Sequence, residues 1–158
     1  NGLRVYIIVR GNSVEFRNKH GELIKQFNTY AHQFSKLAQN GNVVFHGHAV
    51  KVDDDMNKLT ASDEEILATD EDHTKFILWD VVKYEGFVKG LDNHLGYNWR
   101  YNGLEHMMYL AVESNPTPCY APVVQAVVGD IKQVMDFAER MNGGIVKNFS
   151  GAWCSGSN

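Results

Sequence analysis

The run LRVYIIVRG, residues 3–11, constrains this chain more than any other stretch. It is a nearly continuous apolar series, rich in β-branched and aromatic side chains. Such residues fit a pleated, packed surface, so the run reads as a central strand. The turn signal GNS (11–13) follows, and VEFRNKHG (14–21) alternates toward a second strand closed at His20-Gly21. NVVFHGHAVKV (42–52), KFILWDVV (75–82), APVVQAVV (121–128) and GIVKNF (144–149) read as further strands. Between them, TYAHQFSKLAQNG (29–41) places Tyr30, Phe34, Leu37 and Ala38 near helical spacing, with Asn40-Gly41 as its C-cap. A helix is predicted from about Tyr97 to Ala111, and another within 129–144, where Ile131, Val134, Met135, Phe137 and Ala138 share a face. The acidic stretch 53–74 reads as an excursion, part helix and part loop, presenting a solvated face. The order is not a regular βαβ alternation. The expected class is α+β, with antiparallel-rich mixed sheets and flanking helices.

The 158 residues, 44% of them hydrophobic, are enough for one domain with a real core. No apolar stretch reaches the length of a membrane span, and no basic-then-apolar leader opens the chain. Cys119 and Cys154 are the only cysteines, which fits a reducing, cytoplasmic setting. A net charge of -4 argues against holding nucleic acid by overall charge, yet leaves room for a local basic groove. The chain opens on Asn1 and closes on SGSN, and the expectation is that it is part of something longer.

Several short patterns carry chemistry, each beside a plainer structural reading. Gly2 ahead of Arg4 marks either a turn or a close approach of backbone to a ligand. Arg17, Lys19 and His20 at a hairpin end either meet phosphates or protect a solvated edge. His46 and His48 lie two apart on a strand and so face one way, as half of a zinc site would require; no third ligand stands at typical spacing. Lys147, on an otherwise apolar strand, either snorkels at an edge or faces a polar pocket. In HTKFILWDVV (73–82) an aromatic opens the strand and an acid follows Trp79, which suits a wall for a flat polar ligand. P-loop, dinucleotide-binding and nucleophile-elbow patterns are absent from the sequence.

Taken in order, these segments resemble the nucleotidyltransferase (adenylation) domain of ATP-dependent DNA ligases, in particular the T4-like phage type. NGLRVYIIVRG looks like the end of that family's Lys-x-Asp/Asn-Gly-x-Arg motif and its strand. VEFRNKHGE is similar to the segment ending in Ser-Arg-x-Gly, and VVFHGHAV to the Asp-Gly-Glu-Leu-Val-like strand. KFILWDVV resembles the Phe-containing motif, and NGGIVKN the Glu-Gly-x-x-x-Lys motif. The resemblance covers essentially the whole chain and rests on order and spacing.

What the resemblance implies is an ATP-grasp-like ligase adenylation fold, with ATP and Mg²⁺ as cofactors and nicked double-stranded DNA as partner. A Lys attacks the α-phosphate of ATP, AMP passes to a DNA 5′-phosphate, and a 3′-hydroxyl displaces it. Phe76 is expected to stack on adenine, with Asp80 closing the strand by a local polar contact. Arg4 would contact the nucleotide, Lys19 would stand near phosphate, and Lys147 would face the phosphate side of the pocket. Residues 1–158 would form a partial domain. The nucleophilic Lys would lie two residues before Asn1, and the Lys-x-Lys segment and a second domain would lie after Asn158. His48 stands where a ribose- or metal-contacting Glu is usual, and Asn142 or Gly143 where a metal-linked Glu is usual. Neither His nor Asn supplies a carboxylate's charge to Mg²⁺. Two expectations follow: a ligase core, or a degenerate ligase-like module that binds nucleic acid or protein without catalysis.

Overall fold

A computed structural model describes residues 2–123 and 152–154, with backbone alone for 91–95 and 152–154. The opening run is the strand β1 (Leu3–Arg10), and β2 (Ser13–Arg17) folds back on it through a turn in which Gly11 has a positive φ of 61°. The chain leaves the sheet through a 3-10 turn (Lys25–Tyr30) into α1 (Ala31–Leu37). Beyond α1, Gln39 and Asn40 adopt left-handed φ values, and the Asn40 amide donates to the Ser35 carbonyl at 2.9 Å. That closes the helix near the expected cap. β3 (Asn42–Val52) pairs antiparallel with β1 along its length.

The acidic excursion contains a short strand, β4 (Lys58–Leu59), and a short helix, α2 (Asp63–Leu67). Ser62 and Glu65 form a reciprocal capping box there, satisfying two amides at the helix start. β5 (Thr74–Lys83), α3 (Tyr84–Lys89), β6 (Leu91–Gly96), α4 (Tyr97–Ala111) and β7 (Tyr120–Pro122) follow. β8 (Ala152–Cys154) pairs antiparallel with β6 in a separate two-stranded sheet. The main sheet has six strands in the order β2-β1-β3-β5-β7, with β4 joined to β3. Among the described residues the β5–β7 pair is the parallel one, and the other pairs of this sheet are antiparallel. The α+β class and the mostly antiparallel mixed sheet are as the sequence predicts. The helix expected at 129–144 and the strand at 144–149 lie outside the described residues.

Cross-strand register divides the main sheet into two faces. Val5, Ile7, Phe45, Ala49, Phe76 and Leu78 point toward α1 and the 3-10 turn, where they meet Phe27, Phe34 and Leu37 in the main core. Phe76 is the hub of that core. Its ring centroid lies 5.0 Å from Phe27, 5.1 Å from Tyr30, 5.3 Å from Phe34 and 5.9 Å from Phe16, mostly edge to face. Burying one such ring is worth about 1.5–3 kcal/mol, and the edge-to-face contacts add to it.

The pairing of β3 with β5 slips between His46 and Gly47: Leu78 opposes Gly47 and Asp80 opposes His46, leaving Trp79 as the extra residue. This is a β-bulge, and it breaks the simple alternation of side chains. Gly47 permits it. A Cβ placed there would stand 2.1 Å from the Ile77 carbonyl oxygen and 2.9 Å from Leu78 Cα, both backbone atoms. Backbone cannot swing aside as a flexible side-chain tip can. Gly47→Ala is therefore expected to lower stability by about 1–3 kcal/mol through overpacking, read as a lower denaturant midpoint. A variant as stable as the parent would show that this approach is not needed.

His73 ties the excursion to the sheet. Its Nδ1 lies 2.6 Å from Asp70 Oδ1 and its Nε2 lies 2.6 Å from Asp54 Oδ1. Hydrogen bonds to Asp54 and then Asp70 raise the imidazole's pKa above its ordinary value. Because the folded value is the higher one, the stabilisation is complete below the unfolded pKa of about 6.5. It fades as the pH rises through the folded value. The gap in Tm between the parent and His73→Gln is expected to shrink as the pH is raised from 6 to 9; a gap that widens would contradict the clamp.

Candidate functional site

The face of the sheet opposite the main core carries the polar chemistry. Arg4 on β1 sits directly across from His48 on β3, and His48 directly across from Ile77 on β5. Direct cross-strand partners share a face, so Arg4, His48 and Ile77 point the same way. Phe76, one residue from Ile77, points the other way and is 0% exposed in the core. The residue expected to stack on adenine therefore lies on the opposite side of the sheet from Arg4 and His48. The aromatics on their side include Trp79, two residues beyond Ile77, and Tyr6, two residues beyond Arg4.

Trp79 is held by the two histidines. Its ring centroid is 4.9 Å from that of His46 and 5.2 Å from that of His48, the latter edge-on at 80°. His46 is in turn stacked on Tyr6 at 4.2 Å, and Tyr6 meets Phe87 of α3 at 5.6 Å. His46 and His48 thus do share a face, as their spacing predicts. Among the described residues no group of three or more His, Cys, Asp or Glu comes together to hold a metal ion.

Electrostatics set the character of this face. Burial, and then the positive charges of Lys58 and Arg4, push the His48 imidazole down to about 4. His48 is neutral at physiological pH. Burial also lowers the pKa of Lys58 itself. A neutral imidazole with an ammonium and a guanidinium nearby favours an anion over a divalent cation, so these residues do not fit Mg²⁺. Gly2 is close-packed against His48: a Cβ there would be 3.0 Å from His48 Cγ.

Asp80 does not close its strand, which runs on to Lys83. Its carboxylate accepts from the Val81 amide at 2.9 Å, and from Arg100 of α4 at 2.7 Å (Nε) and 3.1 Å (second guanidinium nitrogen). Both side chains are buried, at 0% and 5% exposed. Arg100 also lies over the Tyr97 ring, 5.7 Å from its centroid. This pair fixes α4 to β5 on the flank of the Trp79 wall.

Lys19 is exposed in the turn after β2, at the sheet end where Arg4 lies. The neighbouring Arg17 is committed to structure, donating to the Gly21 carbonyl at 2.6 Å and to Glu15 at 2.7 Å. Lys147 and Asn142 lie outside the described residues. Sequence reading missed Trp79 as the facing aromatic, Arg100 as the partner of Asp80, and Lys58 as a cation beside His48. Parity along the strand held one signal, because Phe76 and Trp79 are three apart and cannot share a face in a strand.

No protein-family profile and no curated protein matches this sequence. Solved structures do match. The structure named Pmar-Lig_Pre. has a TM-score of 0.72 at 18% identity over 98% of this chain and 38% of its own. The ligase domain from M. tuberculosis LigD gives 0.65 at 18% identity over 99% of this chain and 48% of its own. The ATP-dependent DNA ligase from bacteriophage T7, in complex with ATP, gives 0.68 at 14% identity over 99% of this chain and 57% of its own. The chain has the fold of these ligase domains and spans roughly two fifths to three fifths of the chains it matches. Among the described residues no helix is long and apolar enough to cross a membrane.

Proposed function

We propose that this chain is the nucleotide-binding part of an ATP-dependent DNA ligase core, a partial adenylation domain whose remaining segments lie in the rest of a longer protein. The observation that carries the reading is the placement of Arg4, His48 and Trp79 on one face of a sheet with the ligase-domain fold. Trp79 offers the flat wall for adenine, the role that the resemblance lent to Phe76. Arg4 and Lys58 meet the phosphates, and Lys19 extends the positive rim toward DNA. His48, neutral, is a hydrogen-bonding partner for the ribose rather than a metal ligand. Lys147 is assigned to the phosphate side on the resemblance alone. The nucleophilic lysine belongs to a segment outside residues 1–158. Mg²⁺ enters with the nucleotide, and its carboxylate ligands are to be sought beyond this face.

Titration of ATP into the full-length protein tests the site. The parent is expected to bind, and Arg4→Ala or Trp79→Leu to weaken binding by about tenfold or more, as loss of a charge-assisted contact or of a buried aromatic wall implies. A parent that does not bind ATP would sink the proposal.

One observation favours the second reading, a ligase-like binding module without catalysis. Both positions on β3 that resemble the family's Asp and Glu hold histidines, with cations beside His48. Nick sealing discriminates: a module that binds ATP and nicked DNA but leaves the nick open fits the second reading only.

A further inference from the structure

His73 holds two carboxylates at once. A neutral imidazole has one N–H and one lone pair, so only the imidazolium donates to Asp70 from Nδ1 and to Asp54 from Nε2, each at 2.6 Å. These carboxylates are the charges that act on the ring, one from the head of its own 3-10 turn (Glu71–His73) and one from the turn between β3 and β4. The neighbouring acids are engaged elsewhere: Glu71 with Thr29, and Asp53 with the amides of Asp55 and Asn57. The two partners of the ring are unequally held. Asp70 also accepts from the His73 amide at 3.1 Å, and its carbonyl accepts from Thr74 at 2.8 Å where β5 begins. Asp54 has a side chain 93% exposed, on a hairpin whose second strand, β4, is two residues long. So short a ladder holds a hairpin weakly. If the ring loses its proton, one bond survives and the other nitrogen turns a lone pair on a carboxylate oxygen. Asp54 is the partner with least to keep it there. The same hairpin carries Lys58, whose positive charge acts on His48.

We propose that a proton latches the β3–β4 hairpin: with His73 charged, the ring bridges Asp54 and Asp70 and keeps Lys58 beside His48, and with His73 neutral, Asp54 lets go and Lys58 withdraws. The hydrogen bonds to Asp54 and Asp70 hold the proton on the ring above its ordinary range. The hairpin is therefore fully latched below the unfolded value of about 6.5 and released as the pH rises through the folded one. The change is local, because residues 53–58 have no place in the main core. On the nucleotide-binding reading, Lys58 is one of the two cations that meet the phosphates. A polyphosphate is then held less tightly above the latch point than below it, a consequence that rests on that reading while the latch itself does not.

The full-length protein, ¹³C-labelled at its methionine methyls and histidine rings and free of ligand, tests the latch. Met56 is exposed in the same turn, and Met56→Leu assigns its methyl signal by disappearance. As the pH is raised from 6 to 9, that methyl is expected to sharpen and to move toward its unfolded shift, with the midpoint of the His73 ring titration. Asp54→Asn is the control. Its amide offers a donor or an acceptor by turning over, so it meets either form of the ring. In that variant the Met56 methyl should no longer follow His73. A Met56 signal that stays put in the parent while His73 titrates overturns the proposal. A shift of the same size in Asp54→Asn also overturns it, because the carboxylate is then not what lets go. Failure of the parent to bind ATP removes the nucleotide reading and leaves the latch, which is read without ligand.

Discussion

Phe76→Ala is expected to destabilise the protein by about 3–5 kcal/mol, the cost of deleting a fully buried aromatic and leaving a partly collapsed cavity. The ring stands at the centre of an aromatic cluster drawn from β2, the 3-10 turn, α1 and β5, with four rings around it. Its removal therefore loosens several elements at once. Thermal or denaturant unfolding checks the size of the loss. Under conditions where the variant stays folded, its affinity for ATP should be close to the parent's, because Phe76 lies on the core side of the sheet. A Phe76→Ala protein that keeps its stability but loses ATP would place the ligand on the opposite face and overturn the assignment to Trp79.

The second large effect belongs to the Asp80–Arg100 pair. Removing one partner leaves the other charge buried, which costs about 3–5 kcal/mol. Asp80→Ala takes this carboxylate from the buried Arg100 guanidinium, and Arg100→Met takes this guanidinium from the buried carboxylate, so each single variant should unfold more readily than the parent. The paired change Asp80→Leu with Arg100→Met carries no buried charge. It should recover much of the loss, since an apolar pair of similar volume often matches a buried ion pair. Because the pair anchors α4 beside Trp79, the recovered variant should still bind ATP less well if the helix shifts. A double-mutant cycle by denaturant titration reads the coupling. Additive losses would show that the two groups do not act as a pair.

Strands β1, β2, β3 and β5 were legible because their composition and periodicity act locally. LRVYIIVR and NVVFHGHAVKV became β1 and β3 with nearly the predicted ends, and the helix Tyr97–Ala111 was found at its predicted bounds. What was not legible is set by pairing between distant segments. The slip at His46/Gly47 depends on how β5 lies against β3, and nothing within HTKFILWDVV announces that Gly47 is its neighbour. The Asp80–Arg100 bond spans twenty residues, and Lys58 reaches His48 through a two-stranded return that acidic composition masked as a solvated loop. Phe76 drew attention as an aromatic at the head of a strand, while its face was fixed by register with Ala49, a core residue. Motif resemblance pointed to β5 and to Phe76, which faces the core, while Trp79 on the same strand packs against His46 and His48.

The most direct test of the central claim is the intact mass of the full-length protein before and after incubation with ATP and Mg²⁺. In adenylation a lysine Nζ bonds to the α-phosphorus, the bond to the β-phosphate oxygen breaks, and pyrophosphate leaves. The account predicts a gain of one AMP, lost again when nicked DNA is supplied. A protein that binds ATP yet never gains AMP would contradict the ligase reading and leave a nucleotide-binding module of the same fold.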